Sequence, residues 1–372
     1  MKHKLLIDSI SLLSSLTGIG RYTYEISKIL NENDTIFTEY YYGYYSKKLI
    51  SPSNNLKIKN FKSILVKNQL VKQIIRKILF NSSKIFAPSY DLYWQPNFIP
   101  NNGIKAKKIV TTIHDFSFIL YKDFHPKERI KYLEKFFFKN ILKSDIIITG
   151  SEYTKQEIIK RLNFSEDKIK VIYHGINHKL FKPNDNIKTN LKLPNKFLLS
   201  VGSIEPRKNL INLLKAYNNL DKNIQEEYKL VLVGFKGWEN IEIINIINKN
   251  KNNIYYLGFV SDEELADIYN LASLFIFPSF YEGFGLPPIE AMACGTPVVS
   301  SNLTSMPEIC QDAVIYCNPY EINDIGNKIM QVLNDSKLQN KLIMKGLKRA
   351  SEFRWEKSAN DHLAIFKEVL RK

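Results

Sequence analysis

FPSFYEGFGLPPIEAMACGTP, residues Phe277–Pro297, is the stretch that decides the fold of this chain. The short apolar run Leu274–Phe277 is typical of a buried parallel strand, and Ile289–Cys294 is predicted to be a helix. Pro287 and Pro288 fit the first turn of that helix, where a missing N–H group costs nothing. The order of strand, turn and helix is that of an α/β fold.

The turn between this strand and this helix predicts an anion site. Gly283 and Gly285 can adopt backbone angles that are closed to other residues, and they allow a ligand to approach the main chain. The unpaired N–H groups at the start of the helix then face that ligand. Such a site is best suited to a phosphate.

Two glutamates, Glu282 and Glu290, border the turn. If every step between them were helical, they would lie about 12 Å apart, well beyond the roughly 5 Å of a retaining glycosidase pair. We therefore expect Glu282 beside the reacting group and Glu290 in the helix, where it accepts hydrogen bonds from hydroxyls such as a ribose diol. The alternative is a pair of solvated acids near a helix N-terminus, where negative charge is favoured.

The length and composition indicate a globular protein of two domains. A chain of 372 residues is too long for one ordinary core, and 44% hydrophobic residues are enough for two. The first apolar run, Leu5–Ile7, is far too short for a signal peptide, and no run approaches the roughly 18 apolar residues of a membrane span. Cys294, Cys310 and Cys317 lack the spacing of a zinc site or a disulfide framework. The expected compartment is the cytoplasm.

The positive charge is concentrated in the first half of the chain. Residues 1–180 hold 30 of the 53 Lys and Arg residues but only 15 of the 37 Asp and Glu residues, so that +15 of the net charge of +16 lies there. A general compositional bias would not load one half. We therefore predict an anionic partner for the N-terminal half.

Residues 61–80, FKSILVKNQLVKQIIRKILF, have the pattern of a basic amphipathic helix. No acidic residue occurs between Glu39 and Asp91. Such a helix can lie on an anionic membrane surface, or it can pack its apolar side on a core and leave its lysines in water. Its basic residues are Lys62, Lys67, Lys72, Arg76 and Lys77.

Strands that end in polar or glycine-containing turns recur in the N-terminal half. Gly18 and Gly20 follow a first predicted strand and open an amphipathic helix, as in a Rossmann-like unit, although the full G-x-G-x-x-G spacing is missing. They either line the cleft or contact a ligand. Lys108–Ile113 is a predicted strand that ends at His114 and Asp115, and ligands of open α/β folds gather at such ends. His114 is a candidate cleft residue, with a structural histidine as the alternative.

A second Rossmann-like unit follows a linker. Residues 181–195 lose periodicity and contain prolines, which predicts a linker between an N-terminal domain at 1–180 and a C-terminal domain at 196–350. Arg207 and Lys208 lie where a strand gives way to a helix, and they suit the neutralisation of a diphosphate. A pair of surface charges is the alternative.

Further along the same predicted rim, Phe259 and Val260 follow another strand. They either pack against a nucleobase or belong to the core.

These motifs together resemble the family 4 retaining glycosyltransferases of the GT-B fold, in which two Rossmann-like domains face each other across a cleft. The resemblance rests on Gly202-x4-Arg207-Lys208, Glu282-x7-Glu290, the H-G-I-N turn at 174–177 and the His114-Asp115 pair. It covers nearly the whole chain, from Gly18 to the segment at Trp355. The stretches GIGRYTYEI and TIHDFSF most resemble bacterial mannosyltransferases of O-antigen or capsular polysaccharide assembly.

The resemblance implies a role for each matched residue. Arg207 and Lys208 would hold the donor diphosphate, and Glu290 would bind the ribose. Glu282 would contact the transferred sugar, with His114 reaching the same sugar from the opposite domain. The implied catalytic residues are Glu282, His114, Arg207 and Lys208. The implied donor-binding residues are Gly202, Arg207, Lys208, Val260, Gly283, Phe284, Gly285, Leu286 and Glu290. The implied cleft and acceptor residues are Gly18, Gly20, His114 and Asp115.

The function implied by the resemblance is retaining hexosyl transfer without a metal or other cofactor. The expected donor is GDP-mannose, with a UDP-sugar as the alternative, and the expected acceptor is a polyprenyl-diphosphate-linked saccharide. Retention would come from same-face attack or from a covalent intermediate on Glu282. Residues 351–372 are expected to form a helix that crosses back to the N-terminal domain. A basic nucleic-acid-binding protein and an inactive sugar-nucleotide-binding scaffold are the alternatives from other classes.

Overall fold

The computed structural model describes residues 2–13, 18–51, 88–187, 189–235 and 241–371. Within these ranges the chain forms two separate sheets of mainly parallel strands flanked by helices, which confirms the predicted α/β class with two domains. The predicted basic helix over residues 61–80 lies outside the described residues.

The N-terminal domain is built on a seven-stranded sheet. Its strands are β1 (His3–Asp8), β2 (Ile36–Tyr41), β3 (Tyr45–Ser46), β4 (Ser89–Gln95), β5 (Lys105–Ile113), β6 (Ile146–Thr149) and β7 (Ile169–Val171). They lie in the order β3-β2-β1-β4-β5-β6-β7, and among them β3 runs antiparallel to its neighbour. Its helices are α1 (Gly18–Asn31), α2 (Ser117–Leu120), α3 (Lys127–Ile141) and α4 (Glu152–Leu162), with short 3-10 turns at Ile10–Leu13, Lys122–Phe124 and Glu166–Lys168.

The C-terminal domain is built on a six-stranded parallel sheet. Its strands are β8 (Phe197–Val201), β9 (Lys229–Val233), β10 (Ile254–Gly258), β11 (Leu274–Phe277), β12 (Val298–Ser301) and β13 (Ile315–Cys317). Its helices are α5 (Leu210–Asn218), α6 (Lys222–Glu227), α7 (Ile241–Lys249), α8 (Asp262–Leu271), α9 (Leu286–Ala293), α10 (Met306–Cys310), α11 (Ile322–Leu333) and α12 (Ser336–Ala350), with 3-10 turns at Pro206–Lys208 and Gln311–Ala313.

The strand order of the C-terminal sheet, β10-β9-β8-β11-β12-β13, is that of a Rossmann fold. The order reverses between β8 and β11, which are neighbours in the sheet but not in the chain. Loops that leave these two strands diverge to opposite sides, and the crevice between them is where ligands bind in such sheets. The loop after β11 begins the stretch at Phe277–Pro297.

Burial on both faces explains why β11 is apolar throughout. All four residues of Leu274–Phe277 are buried, because helices cover both sides of the sheet. Leu274 lies opposite Leu198 of β8, and Phe275 lies opposite Val298 of β12.

The helix after the turn begins earlier than predicted. It spans Leu286–Ala293, so that Pro287 and Pro288 occupy its first turn and Cys294 lies just past its end. Gly285 precedes it in a left-handed conformation, with φ of 101°. The three cysteines are buried free thiols.

The chain returns to the N-terminal domain at its end. Helix α13 (Trp355–Arg371) follows α12, and it packs on the N-terminal domain against α1. Trp355, Phe366 and Val369 lie in the same buried cluster as Leu5 and Ile7 of β1. The last helix is therefore part of the core of the first domain.

The residues between the domains have no regular structure where they are described. Residues 181–187 and 189–195 contain neither helix nor strand. Across the described ranges, no helix combines the length and the apolar character needed to span a bilayer.

Candidate active site

Loops from β8 and β11 bring three predicted site residues together. The 3-10 turn Pro206–Lys208 follows β8, and Glu282 follows β11. Lys208 Nζ donates a hydrogen bond to Glu282 Oε1 at 2.7 Å, and Arg207 Nη1 donates to Glu282 Oε2 at 2.9 Å. Each carboxylate oxygen of Glu282 therefore has its own cation.

This cluster lies in the interior of the molecule. Glu282 is 7% exposed, and the side chains of Arg207 and Lys208 are 14% and 13% exposed. Burial would raise the pKa of Glu282, but the opposite charges of Arg207 and Lys208 lower that pKa to about 2. Burial alone would lower the pKa of Arg207, yet Glu282 and Glu205 raise it above its ordinary value. Glu282 is therefore a carboxylate at any working pH.

Neighbouring side chains hold the cluster in place, and sequence reasoning did not identify them. Glu205 Oε1 accepts a second bond from Arg207 at 2.8 Å. The Glu282 N–H donates to Thr304 Oγ1 at 3.1 Å, and Ser305 Oγ donates to the carbonyl of Glu282 at 3.0 Å. Thr304 and Ser305 follow β12, so a polar cluster at a strand end was the signal that could have found them.

Neither Gly283 nor Gly285 has room for a side chain. A Cβ atom at Gly283 would lie 1.8 Å from the carbonyl oxygen of His114 in the N-terminal domain. A Cβ atom at Gly285 would lie 2.2 Å from Met306 Cε, at a backbone angle that favours glycine. The amide donors at this end belong to the turn and to Leu286, because Pro287 and Pro288 carry no N–H group.

Glu290 lies in α9 and faces the other domain. Its Oε2 accepts a hydrogen bond from the hydroxyl of Tyr269 at 3.2 Å, and its Oε1 is 3.7 Å from Nη1 of Arg21. Arg21 belongs to α1 of the N-terminal domain, and its Nη2 also donates to Asp262 Oδ1 at 2.5 Å. Burial raises the pKa of Glu290, while Arg21 acts in the opposite direction.

Arg21 and Asp262 were not predicted as site residues. They are 241 positions apart in the chain. The G-I-G-R-Y motif places Arg21 one residue after Gly20, and Asp262 lies in the capping box that Ser261 and Glu264 form at the start of α8. Neither position by itself indicated a partner in the other domain.

His114 and Asp115 approach the turn from the N-terminal domain. His114 Nε2 donates to the carbonyl of Pro96 at 2.8 Å, so that its ring is held by its own domain, and burial lowers its pKa. Asp115 accepts bonds from both the N–H and the hydroxyl of Ser117, at 2.9 and 2.7 Å. The His114 ring also packs against Tyr22, with ring centroids 5.0 Å apart.

The remaining predicted residues lie around this centre. Leu286 Cδ1 lies 4.0 Å from the position of a Cβ on Gly18, which puts the two across the cleft from each other. Gly202 lies directly after β8, over the side chain of Lys208. Gly20 is buried in α1. Val260 and Phe284 are both buried in the core cluster of the C-terminal domain, whereas Phe259 is 44% exposed. The described residues contain no group of three or more His, Cys, Asp or Glu side chains placed to hold a metal ion.

Further contacts hold the two domains together beside the site. Ser151 Oγ donates to the carbonyl of Gly283 at 2.7 Å, and the N–H of Phe116 donates to the hydroxyl of Tyr281 at 3.0 Å. The carboxylate of Glu308 accepts bonds from the first N–H groups of α4, at 2.8 Å from Glu152 and 3.0 Å from Tyr153. The cleft is therefore closed around Glu282.

Comparison with known proteins adds sequence relatives. The family model of the glycosyl transferases group 1 matches residues 181–349, and that of glycosyltransferase family 4 matches residues 93–180. The O-antigen chain mannosyltransferase B of Escherichia coli is 32% identical, over 95% of this chain and 96% of that protein. The serotype-specific mannosyltransferase WbdA of Escherichia coli is also 32% identical, over 69% of this chain and 33% of that longer protein.

Solved structures resemble the whole chain. Sucrose-phosphate synthase (tll1590) from Thermosynechococcus elongatus has a TM-score of 0.72 at 20% identity, and the match covers 100% of both chains. Anabaena Alr3699/HepE in complex with UDP and glucose has a TM-score of 0.69 at 16% identity, over 98% of this chain and 100% of that chain. At these identities the likeness concerns the fold, and it confirms the predicted GT-B architecture.

Proposed function

The chain belongs to the family 4 glycosyltransferases of the GT-B fold, and from that premise we propose that it transfers mannose from GDP-mannose to a saccharide acceptor in cell-surface polysaccharide synthesis. The observation that carries this proposal is the buried cluster of Arg207, Lys208 and Glu282 at the switch point of the C-terminal sheet. The choice of mannose is supported by the 32% identity to a mannosyltransferase over 95% of the chain.

Donor binding exchanges the partners of the two cations. Arg207 and Lys208 are neutralised by Glu282 and Glu205, so this cluster carries no net charge. A nucleoside diphosphate brings two or more negative charges, and it competes with Glu282 for the same donors. Glu282 is then released, still ionised, to accept hydrogen bonds from the sugar beside the leaving phosphate.

Charge stabilisation then drives the transfer. The bond between the sugar and the diphosphate breaks as negative charge develops on the leaving oxygen. Arg207, Lys208 and the amides of the turn at Gly283–Gly285 are placed to stabilise that charge without a metal ion. The closed domains exclude water, so that the acceptor hydroxyl is the nucleophile, and its proton passes to the departing diphosphate oxygen.

Retention of configuration follows when the acceptor hydroxyl attacks the sugar on the same face from which the leaving group departs. The alternative route is a covalent intermediate on Glu282, which the exchange of partners leaves ionised and free of its two cations.

Glu290 supplies the ribose contact in this proposal. It lies in α9 with one oxygen bonded to Tyr269 and the other turned toward Arg21. A ribose diol would donate hydrogen bonds to the same carboxylate.

A panel of nucleotides tests the donor assignment. We expect GDP and GDP-mannose to raise the melting temperature, and UDP and UDP-glucose to leave it nearly unchanged. Slow hydrolysis of GDP-mannose should accompany the stabilisation. Lys208→Ala and Glu290→Gln should lose both effects, whereas Lys337→Ala, an exposed lysine on α12, should retain them. Stabilisation by UDP alone would replace mannose with a UDP-linked sugar, and loss of neither effect in the Lys208 and Glu290 variants would contradict the site.

The acceptor proposal rests on the charge of the N-terminal half. A polyprenyl-diphosphate-linked saccharide is anionic and is held at a membrane, and residues 1–180 carry +15 of the net charge. We propose peripheral binding to the inner face of the plasma membrane through the basic residues of 61–80.

Vesicle sedimentation tests this membrane proposal. The wild type should sediment with phosphatidylglycerol vesicles at low salt, and the signal should fall as salt is added. Replacing Lys62, Lys67, Lys72, Arg76 and Lys77 by Gln should abolish sedimentation. The matched control replaces five exposed lysines of the other half, Lys222, Lys337, Lys341, Lys348 and Lys357. Equal sedimentation of the two variants would contradict the proposal.

A further inference from the structure

An aromatic groove lies beside the active site, and the donor proposal does not use it. Its cavity of about 270 Å³ is lined by Leu120, Tyr121, Tyr153, Glu157, Arg161 and Tyr281; we call these residues the tyrosine groove. This volume is slightly below the roughly 300 Å³ at which pockets for drug-sized ligands begin. The groove therefore has the size for a small ring, such as one sugar unit.

Both domains contribute to the tyrosine groove. Tyr153, Glu157 and Arg161 recur every four residues along α4, so that they share one face of that helix in the N-terminal domain. Tyr281 comes from the C-terminal domain and forms the buried floor of the groove. Its hydroxyl accepts a hydrogen bond from the N–H of Phe116, which holds the ring in place. The ring centroids of Tyr281 lie 5.5 Å from Tyr121 and 6.0 Å from Tyr153. The groove is complete only when the domains are closed.

Stacked rings extend the tyrosine groove toward the surface. Tyr121 stacks on Phe124 with centroids 5.2 Å apart, and Phe124 lies 6.2 Å from Phe280. Phe280 stacks on Tyr320, which is 57% exposed, at 4.9 Å. This row of aromatic faces leads from solvent to the wall of the active site.

The polar groups of the tyrosine groove are those that recognise hydroxyls. Arg161 Nε donates to Glu157 Oε2 at 2.6 Å, which leaves the other guanidinium nitrogens and the second carboxylate oxygen for a ligand. Phenol groups of Tyr121 and Tyr153 add further donors and acceptors. An apolar chain would leave this charged pair buried without new partners, which is costly. A sugar ring presents C–H groups to the aromatic faces and hydroxyls to the charged pair.

The tyrosine groove adjoins the reacting residues directly. Tyr281 precedes Glu282 in the chain, and the carbonyl of Tyr281 accepts a hydrogen bond from Arg207 Nη1 at 2.8 Å. The other walls come from the N-terminal domain, which the function proposed above assigns to the acceptor. A ligand in the groove would thus lie next to the site of transfer on the acceptor side.

We infer that the tyrosine groove binds a sugar unit of the acceptor saccharide and positions the hydroxyl that attacks the donor. This inference rests on the proposed function, since it names the acceptor site of the same reaction. Tyr153 and Arg161 are the positioning residues on α4. Recognition uses the aromatic faces and the Glu157–Arg161 pair.

Binding of mannotriose to the GDP-loaded protein tests this inference, measured by saturation-transfer NMR titration. Tyr153→Ala and Arg161→Ala should each raise the Kd for mannotriose about tenfold, the loss expected for one stacking contact or one charged hydrogen bond. The Kd for GDP should change less than about twofold, because neither side chain contacts the donor cluster. The Tyr153 side chain can be removed without loss of its main-chain bond to Glu308.

Two controls make the result specific. Tyr132→Ala removes an exposed tyrosine on α3, outside the groove, and it should leave the Kd for mannotriose unchanged. Farnesyl phosphate serves as the lipid probe, and its binding should be equal in all variants.

An unchanged Kd for mannotriose in both groove variants would overturn the inference, and so would an effect on farnesyl phosphate alone or an absence of mannotriose binding in the wild type. Turnover of GDP-mannose is measured separately. If the groove variants bind mannotriose as tightly as the wild type while GDP-mannose is still turned over, the inference about the groove is wrong and the proposed function stands. If GDP-mannose is not turned over at all, the proposed function is wrong.

Discussion

Glu282 lies at the centre of the candidate active site, between Arg207 and Lys208. Arg207 and Lys208 stabilise its ionised form and lower its pKa from the ordinary 4.5 to about 2. Its contribution to the free energy of unfolding is therefore complete above pH 4.5 and is lost as the pH falls toward 2. Removing one member of a buried ion pair costs about 3–5 kcal/mol, because the remaining charge is left uncompensated. The cluster is therefore both a structural element and a site held ready for an anion.

Glu282→Gln tests the exchange of partners. The variant keeps the shape of the side chain but leaves Lys208 without its carboxylate partner and Arg207 with Glu205 alone. We expect GDP to bind about tenfold more tightly, since the diphosphate no longer competes with Glu282. Transfer should fall by about 10²–10³, as for the loss of one stabilising group. Calorimetry with GDP and a turnover assay measure the two effects.

The matched control is Glu356→Gln, an exposed glutamate on α13, which should change neither quantity. Weaker binding of GDP by the Glu282 variant would show that the carboxylate does not compete with the donor. A far larger loss of transfer, with a trapped glycosyl intermediate in the wild type, would support the covalent route instead.

The three charged residues of the active-site cluster could be predicted from the sequence because each follows a predicted strand. Arg207, Lys208 and Glu282 each lie just beyond a predicted strand, and the carboxyl ends of parallel strands meet at one edge of a sheet. Glu205 and Thr304 also follow strands, but this position alone does not indicate which side chains they contact. Their roles depend on hydrogen bonds between loops, which the spacing of residues does not reveal.

At the scale of elements, α13 decides how the first domain is completed. His362, in the middle of this helix, is fully buried. Its Nδ1 donates to the carbonyl of Ser358 at 2.7 Å, so that Nε2 accepts the hydroxyl of Tyr22 at 2.6 Å. Tyr22 in turn bonds to Thr112, which accepts the indole N–H of Trp94. This chain of bonds joins α13 to α1, β4 and β5 and requires a neutral His362.

His362→Gln tests the link through the pH dependence of stability. Burial lowers the pKa of His362 from 6.5 to about 4, so the unfolded chain binds more protons than the native one in this window. Stability linked to His362 is fully present above pH 6.5 and is lost as the pH falls to 4, by about 3 kcal/mol in total. Gln keeps an acceptor for Tyr22 but does not titrate.

Thermal unfolding between pH 7.5 and 4.5 measures this effect. The wild type should lose more stability on acidification than the Gln variant, and the difference should vanish at the upper end of the range. His114 and Asp361 also face His362, and Asp8 has a pKa raised to about 6, but these groups are shared by both proteins and cancel in the comparison. Parallel curves would mean that His362 is not the titrating group.

Most helices and strands could be predicted from local patterns, but the first residue of α9 could not. The predicted range began at Ile289, although Pro287 and Pro288 were expected in the first turn of the helix. In the structure Gly285 takes the left-handed conformation that starts the helix at Leu286, and the prolines lie inside its first turn. The backbone angle of one glycine thus set the boundary.

At the scale of the whole molecule, closure of the cleft is built from contacts between distant parts of the chain. Arg21 bonds to Asp262, Ser151 to Gly283, and Glu308 to the N-terminus of α4. Two folded domains could be predicted from the sequence, but not how they meet, because each of these contacts joins residues more than 100 positions apart.

Arg21→Ala tests the coupling between closure and donor binding. The variant removes the bond to Asp262 and the cation nearest Glu290. We expect a larger radius of gyration by small-angle scattering and a KM for GDP-mannose raised about tenfold, as for a lost charged hydrogen bond. Burial raises the pKa of Glu290 and Arg21 lowers it, so the variant should have a higher Glu290 pKa. The loss of donor binding on acidification should therefore begin at a higher pH than in the wild type.

Asp262→Asn should open the cleft in the same way without raising the pKa of Glu290, which separates the two effects. Lys357→Ala breaks an exposed ion pair within α13 and should change none of these quantities. An unchanged radius of gyration in both cleft variants would mean that the bond between Arg21 and Asp262 does not hold the domains together.

The return of α13 to the first domain has a consequence for how the protein is made. The N-terminal domain leaves the ribosome before the C-terminal domain, yet Trp355 and Phe366, which complete its core, are translated after both. Leu5, Ile7 and their neighbours therefore stay incompletely covered until α13 has been synthesised, while the C-terminal domain can already fold. The first domain is thus completed after the second, and a chain truncated before Trp355 would lack the residues that cover Leu5 and Ile7.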